Sequence, residues 1–242
     1  MSLDFNAITL SERSAWELGL EASSASELTS YTKSGSASAQ INQGALLSFD
    51  AALSKQMTED VSNSLLFAQL AADKQFNRLT STGNWEKTFF SVLSVVGWIV
   101  GNFTKKSLVT ASPVDWVKLV ASTMPENAAR LVDSSVTACQ TLPETSKAIT
   151  IWSSAALQKD SGLLIVLPSY IVGDSPATSV SLIEFTFERE STGFLKWNLD
   201  YNVATMSATL ELNEGVYSNV RQTIIEKLGN RPKYLVANVP MD

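Results

Sequence analysis

The sequence TFFSVLSVVGWIVGNFT, at residues 88–104, dominates the prediction of the fold. Every side chain between Lys87 and Lys105 is uncharged, and the apolar ones fall on all sides of a helix rather than on one stripe. Such a helix is not stable with its surface in water. At about 1.5 Å per residue it reaches only about 25 Å, short of the roughly 30 Å hydrocarbon core of a bilayer. The sequence predicts either a central helix that stays buried in the rest of the chain, or a helix that is buried in solution and can insert into a membrane. The length of the stretch favours the permanently buried helix.

The apolar residues of this stretch are the candidates for contact with lipid if the segment leaves the core. They are Phe89, Phe90, Val92, Leu93, Val95, Val96, Trp98, Ile99 and Val100.

The composition limits the possible partners and compartments. With 242 residues, 45% of them hydrophobic, the chain can bury a full core as one large domain or two intimate ones. The net charge of −6, with basic residues in short pairs such as Lys105-Lys106, argues against nucleic acid and gives no steady attraction to anionic lipid. Residues 1–5 lack a basic region followed by an apolar one, so we predict a soluble protein, cytoplasmic or exported without a cleavable signal.

Two residue counts exclude whole classes of active site. The chain has no histidine, so His-dependent triads, His-ligated zinc and His acid–base chemistry are impossible. Its one cysteine, Cys139, cannot form an intrachain disulfide, and its apolar register predicts a buried free thiol. The glycine-rich nucleotide loops and the Gly-x-Ser-x-Gly element are also missing. We therefore expect no cofactor, no metal ion and no enzymatic activity.

Three weaker patterns stay open as candidate sites. Residues 30–33 match Ser-x-x-Lys, but they lie in a low-complexity connector that would not hold a nucleophile rigidly. The carboxylate pairs Glu184/Glu188 and Glu211/Glu214 have the residue types of a glycosidase, although alternate acids on a strand normally mark its solvated face. A carboxylate-only active site is thus not ruled out by the sequence.

Helical periodicity fills the first two-thirds of the chain. Residues 10–28 predict a first helix, and the small residues near 30–40 predict a flexible connector. Between residues 42 and 80 the apolar positions step by three or four, which predicts one amphipathic helix more than about 50 Å long. Shorter helices are predicted at three prolines, namely Pro113, Pro125 and Pro143.

The period changes from helical to alternating at Gly162. Pro168 predicts a bend or an edge in the first strand. The alternation later slips by one residue at Leu182-Ile183 and at Thr205-Met206, and each slip predicts a β-bulge. The predicted elements are strands at 163–167, 170–172, 180–187, 195–203 and 206–212, a turn at 173–176, a helix at 216–228 ended by Gly229, and a last strand at 234–237.

Together these elements predict an α+β fold, with a helix-rich N-terminal two-thirds packed on a C-terminal, mainly antiparallel β-sheet with one late helix. We divide the chain into 1–40 (first helix and connector), 41–158 (helical region) and 159–242 (sheet region), and expect one cooperative unit.

The combination of elements also predicts a class of function. A long amphipathic helix, an uncharged helix between lysines and long alternating strands are what a water-soluble protein needs in order to enter a bilayer. At the level of fold this is similar to helix-wrapped, sheet-containing cytolysins, although no motif matches residue by residue. We predict a non-enzymatic, membrane-active protein, such as a pore-forming toxin or effector, with a lipid membrane and further copies of the same chain as its candidate partners.

Two alternatives remain open. The first is a structural homo-oligomer in which the apolar helix stays buried. The second is a non-catalytic interaction module that docks a partner through the face of a predicted strand that carries Trp197 and Tyr201.

Overall fold

A computed structural model describes residues 4–12, 35–109, 114–158, 161–186, 195 and 202–241. The strands in these residues are β1 Ser38–Asn42, β2 Ala45–Phe49, β3 Trp98–Val109, β4 Leu157–Gln158, β5 Ser161–Val172, β6 Ser175–Thr186, β7 Asn202–Leu212 and β8 Val236–Val239. The helices are α1 Lys55–Gln75, α2 Thr82–Val95, α3 Trp116–Ala121, α4 Glu126–Gln140, α5 Lys147–Ala156, α6 Glu214–Leu228 and α7 Pro232–Leu235, with a 3₁₀ turn at Phe5–Ala7.

The described strands form one mixed sheet in the order β3-β7-β6-β5-β2-β1-β8, with the short β4 beside β5. Neighbours are antiparallel apart from the parallel pair β2 and β5. β3 and β8 therefore lie at the two edges of the described sheet.

Helices cover both faces of this sheet. Along β5, Leu163, Ile165 and Leu167 point into a first core shared with α1, α2 and α6. The intervening Leu164 and Val166 point into a second core shared with α3, α4 and α5. Because successive side chains of a strand point to opposite faces, a central strand between two helical layers must be apolar throughout. The result is an α/β/α sandwich.

The sequence predicted that the N-terminal two-thirds of the chain is helical and packs on a C-terminal sheet, and this arrangement is wrong. Helices and strands are interspersed along the chain, and the sheet is central. β1 and β2 come before α1, and β3 comes before α3. All five residues of β2 are buried, so this strand has no polar alternation that would distinguish it from a helix in the sequence.

The predicted single helix over residues 42–80 is likewise wrong. Its first apolar positions belong to β2 and the following turn, and α1 begins only after Ser54. The Ser54 side chain accepts a hydrogen bond from the N–H of Met57, which caps the helix. The helix ends at Gln75, well before residue 80.

The stretch 88–104 is not one helix. α2 ends at Val95, the chain reverses at Gly97, and β3 starts at Trp98. Gly97 has a φ of 108°, and a Cβ there would lie 3.1 Å from the backbone N of Tyr217, so only glycine fits this turn. The apolar run combines the end of a helix with the beginning of a strand, so its residues do not follow the period of a single helix.

The two predicted β-bulges are also absent from β6 and β7, whose mutual register runs without a shift from Ala177 to Phe185. Leu182 belongs to the first core and Ile183 to the second. The slip in the alternation marks the point where burial changes from one face of the strand to the other. Pro168 does not break β5 either, which continues to Val172.

Several local predictions are confirmed. α4 starts after Pro125, and β5 and β6 are joined by a tight turn at Gly173. The helix predicted at Pro143 is displaced, because α5 begins at Lys147 with Ser146 as its cap. α6 ends at the predicted Gly229, whose N–H donates to the carbonyl of Ile225. The last predicted strand is displaced, since residues 232–235 are helical and β8 begins at Val236.

Parts of the prediction lie outside the described residues. They include the first helix beyond residue 12, the connector as far as residue 34 and the strand at 196–201. Residues 10–12, where that first helix was predicted to begin, are not helical. The helix predicted at Pro113 is displaced, since α3 begins at Trp116 with Asp115 as its cap.

Candidate functional site

Large apolar side chains are exposed on β3, the edge strand next to β7. Ile99 is 58% exposed and Phe103 is 55% exposed, the two highest values among the exposed large hydrophobic residues described. Val172, Val216 and Ile225 are the others. Exposed aromatic and β-branched side chains on one edge strand are a candidate contact surface.

An open groove runs between β3 and α2, with a volume of about 400 Å³. Phe90 and Phe103 meet edge to face across it, with ring centroids 5.9 Å apart. Phe90 also packs edge to face on the buried Phe89, at 5.2 Å, so its ring is held by the first core. The groove is lined by Gly83, Glu86, Lys87, Phe90, Ser91, Ser94, Val100 and Phe103.

A β-bulge gives the groove its second aromatic wall. The register of β3 with β7 shifts between Gly101 and Thr104, where Asn102 has a φ of 49°. Before the bulge, Trp98 and Val100 point towards the first core, so a regular strand would place Phe103 on the opposite face with Ile99. The extra residue reverses the alternation and brings Phe103 to the α2 side.

Lysines border the apolar residues. Lys105 Nζ lies 2.9 Å from Glu86 Oε2, which joins β3 to α2 at the end of the groove. Lys87 and Lys106 are exposed, and neither forms an ion pair within the described part of the chain. In register, Lys105 lies opposite Met206 of the first core, and Lys106 opposite Thr205 on the other face. Positive charge therefore borders β3 on both faces.

The position of α2 is fixed by a buried polar network at its first turn. Trp85 Nε1 donates to Asp73 Oδ1 at 2.7 Å, and the guanidinium of Arg78 lies 4.9 Å from the centroid of the Trp85 ring. Arg78 donates to both oxygens of Asp73, at 3.0 and 2.7 Å. Trp85 stacks on Phe89 with centroids 5.2 Å apart, so the network sets the rotation of the helix that carries Phe90.

The nine candidate lipid-contact residues divide into two sets. Phe89, Val92, Leu93, Val96 and Trp98 are buried in the first core, at most 2% exposed. The remaining four reach the surface, where Ile99 is exposed and Phe90, Val95 and Val100 are half-buried.

Sequence reasoning missed Phe103 and the lysines as members of this surface. The alternation of Trp98 and Val100 with exposed residues is a strand signal that could have placed them on an edge. Trp197 and Tyr201, the predicted docking residues, lie outside the described residues.

The other candidate groups are not gathered into a site. Cys139 is buried as predicted, and burial raises the pKa of its thiol to about 12. Glu184 and Glu211 are exposed on their strands, and Glu214 is held by Arg221, which also binds the buried Asp60. Glu188 and the Ser-x-x-Lys residues 30–33 lie outside the described residues. Among the residues that are described, no group of three or more Cys, Asp or Glu is placed to hold a metal ion.

None of the helices in the described ranges has both the length and the apolar character required to cross a membrane.

Comparison with known proteins identifies no family. No family model matches the chain, and no curated protein matches it. Two solved structures share a distant likeness, each with 12% sequence identity. A delta-endotoxin matches with a TM-score of 0.35, over 69% of this chain and 79% of its own. The Evf virulence factor matches with a TM-score of 0.38, over 77% of this chain and 82% of its own. Likenesses at this level identify neither a family nor an activity.

Proposed function

We propose that this protein is a non-enzymatic, membrane-active toxin or effector that contacts lipid through the α2–β3 surface, defined as Phe90, Val100 and Phe103 on one face and Ile99 on the other. One observation carries the proposal: Ile99 and Phe103 are each more than half exposed on the same edge strand. Fully burying such a side chain contributes about 2 kcal/mol, so moving the exposed halves of both out of water contributes about 2 kcal/mol together. That is less than the contribution of a single acyl chain, which binds a bilayer only marginally with a constant of about 10⁴ M⁻¹, so attachment also requires contributions from neighbouring groups or from further copies of the chain.

The edge of β3 limits how deep the attachment can go. Its outward N–H and C=O groups have no strand partner among the described residues. Unpaired backbone groups cost several kcal/mol each in hydrocarbon, so the strand as it stands can enter only the interfacial layer. Deeper entry, and any pore, requires a further strand to pair with this edge. Oligomerisation on the membrane is therefore part of the proposal.

Vesicle binding and dye release test the proposal. The double variant Ile99→Asp, Phe103→Asp places two charges on the contact surface, and we expect it to lose both activities while keeping its circular dichroism spectrum. Ile225→Asp is the matched control, because Ile225 is a 42% exposed hydrophobic residue on α6, outside the α2–β3 surface. If the wild type neither binds vesicles nor releases dye at micromolar concentration, at neutral or acidic pH, the proposal is wrong.

A second candidate is a protein-interaction module that accepts a partner strand on the β3 edge. Its support is the same open edge, because an extended peptide can add to it through main-chain hydrogen bonds. In water, where the backbone groups of the edge are hydrated, the bulge at Asn102 and the lysines Lys105 and Lys106 oppose such pairing, since bulges and charges keep edge strands apart. Mass that rises with protein concentration in light scattering, without vesicle binding, would show that a second copy of the chain supplies the partner strand, and would favour a homo-oligomer over membrane contact.

A further inference from the structure

The charges around the α2–β3 surface are opposite in sign to those of the chain as a whole. The chain has a net charge of −6. The residues bordering the apolar surface include three lysines, Lys87, Lys105 and Lys106. The acidic groups near them are Glu86, which pairs with Lys105, and Glu211, which lies opposite Ile99 in the register of β3 with β7. Counted over the described residues alone, the local balance is one positive charge, and two of the three lysines have no ion pair there.

We infer that the lipid recognised by this surface is anionic, with Lys87 and Lys106 as the residues that select it. The inference rests on the proposed function and names its lipid class. It also reverses the expectation from the net charge that anionic lipid would not attract the protein.

The placement of the lysines fits a bilayer lying along the edge of β3. Lys87 lies on the groove side with Phe90, while Lys106 is on the face of the strand that carries Ile99. Long lysine side chains can keep their charge at the level of the headgroups while neighbouring apolar side chains go deeper. With the apolar residues of β3 in the interface, an ammonium group reaches lipid phosphates or carboxylates from each face of the strand.

The negative charge elsewhere on the molecule does not cancel this attraction. At physiological ionic strength, charges more than about 8 Å from the headgroups are largely screened. Only the groups next to the contact surface therefore act on the lipid. Each lysine close to an anionic surface strengthens binding about fivefold, so Lys87 and Lys106 together contribute about 25-fold.

Edge-strand lysines also have a purely protective role, since they deter pairing between sheets. That role predicts a different result. Removing the lysines would then promote self-association in solution and would leave the preference for charged lipid unchanged.

The experiment compares sedimentation with vesicles of phosphatidylcholine and with vesicles of equal parts phosphatidylcholine and phosphatidylserine. We expect the wild type to bind the anionic vesicles more strongly, and this preference to disappear near 1 M salt, where the Debye length is about 3 Å. The double variant Lys87→Gln, Lys106→Gln should bind anionic vesicles about 25-fold more weakly than the wild type, and its binding to phosphatidylcholine vesicles should be unchanged. The control is Lys55→Gln with Lys118→Gln, which removes the same charge from exposed lysines outside the α2–β3 surface.

The outcomes separate the inference from the proposed function. Equal binding of the wild type to both vesicles overturns the inference and leaves membrane contact standing. An equal loss in the Lys55/Lys118 control, or self-association of the Lys87/Lys106 variant with unchanged lipid preference, also overturns the inference. Failure of the wild type to bind either vesicle overturns the proposed function itself.

Discussion

Substituting Gly44 by alanine should disrupt the buried network that fixes α2. A Cβ at Gly44 would lie 2.1 Å from Arg78 Nη1, with the Cβ of Ala155 only 3.4 Å away on another side. Arg78 is 3% exposed and bonds the carboxylate of Asp73, which is 6% exposed. The guanidinium must move, and Asp73 then stays buried without this charge partner, although Gln43 and Trp85 still donate to it. Separating a buried ion pair costs about 3–5 kcal/mol, so we expect a loss of that size in the free energy of unfolding.

The assay is urea unfolding followed by tryptophan fluorescence, arranged as a double-mutant cycle. Arg78→Met should itself cost about 3–5 kcal/mol. In that background Gly44→Ala should cost less than about 1 kcal/mol, because methionine has no terminal nitrogen for the new Cβ to displace. Gly83→Ala is the matched control: a Cβ there has nothing within 4 Å, and the residue lies in the first turn of α2, so stability should stay constant or rise by up to about 1 kcal/mol.

Two results would refute this reasoning. One is a cost for Gly44→Ala below about 1 kcal/mol in the wild-type background, which would show that Arg78 moves aside without losing Asp73. The other is an equal cost with and without Arg78, which would place the effect in the backbone of the turn.

Three further predictions concern the ion pairs, the thiol and one helix cap. Arg221→Met should lower the free energy of unfolding by about 3–5 kcal/mol in a urea titration. The substitution leaves the carboxylate of Asp60, whose side chain is 3% exposed, without its charge partner on α6. A loss below about 1 kcal/mol would contradict this prediction. Burial raises the pKa of the Cys139 thiol to about 12, so the native thiol should resist alkylation near neutral pH. Stability should fall as the pH rises from about 9 towards 12, because only the unfolded thiol ionises in that range. A pH dependence of stability that is unchanged in Cys139→Ala would contradict this prediction. Asp115→Ala should cost about 1 kcal/mol in thermal melts, because the carboxylate caps α3. Burial raises the pKa of Asp115, but hydrogen bonds from Lys118 outweigh burial, and the pKa is lowered overall. The stability that the Asp115 carboxylate contributes is therefore present above the pKa of the unfolded state and is lost as the pH falls. A difference in melting temperature between Asp115→Ala and wild type that persists in strong acid would contradict the role of the carboxylate as a cap.

Sequence reasoning succeeded where one short segment contains its own structural signal. The positive φ of Gly229 at the end of α6, the turn at Gly173 and the helix after Pro125 depend on backbone preferences of a few neighbouring residues. The burial of Cys139 followed from the apolar face of α4, which needs only the period of one helix.

Sequence reasoning failed where a strand is buried on both faces. All five residues of β2, including the polar Ser48, are buried, so its apolar residues extended the helical period of α1 backwards. In β6, Leu182 and Ile183 are both buried, against different helical layers, and the sequence alone suggested a bulge. A strand with one buried face alternates apolar and polar residues, and this alternation distinguishes it from a helix. When both faces of the strand are buried, the alternation disappears from the sequence.

The candidate site shows the same division. The sequence by itself determined that residues 88–104 are apolar and uncharged, and that lysines stand on both sides of them. Only the tertiary structure decided that the run breaks at Gly97, because the turn requires close contact with α6. Pairing with β7 then placed the bulge at Asn102, turned Phe103 towards Phe90 and left Ile99 in water. Which apolar side chains stay exposed depends on contacts between segments far apart in the chain, and no local pattern encodes them.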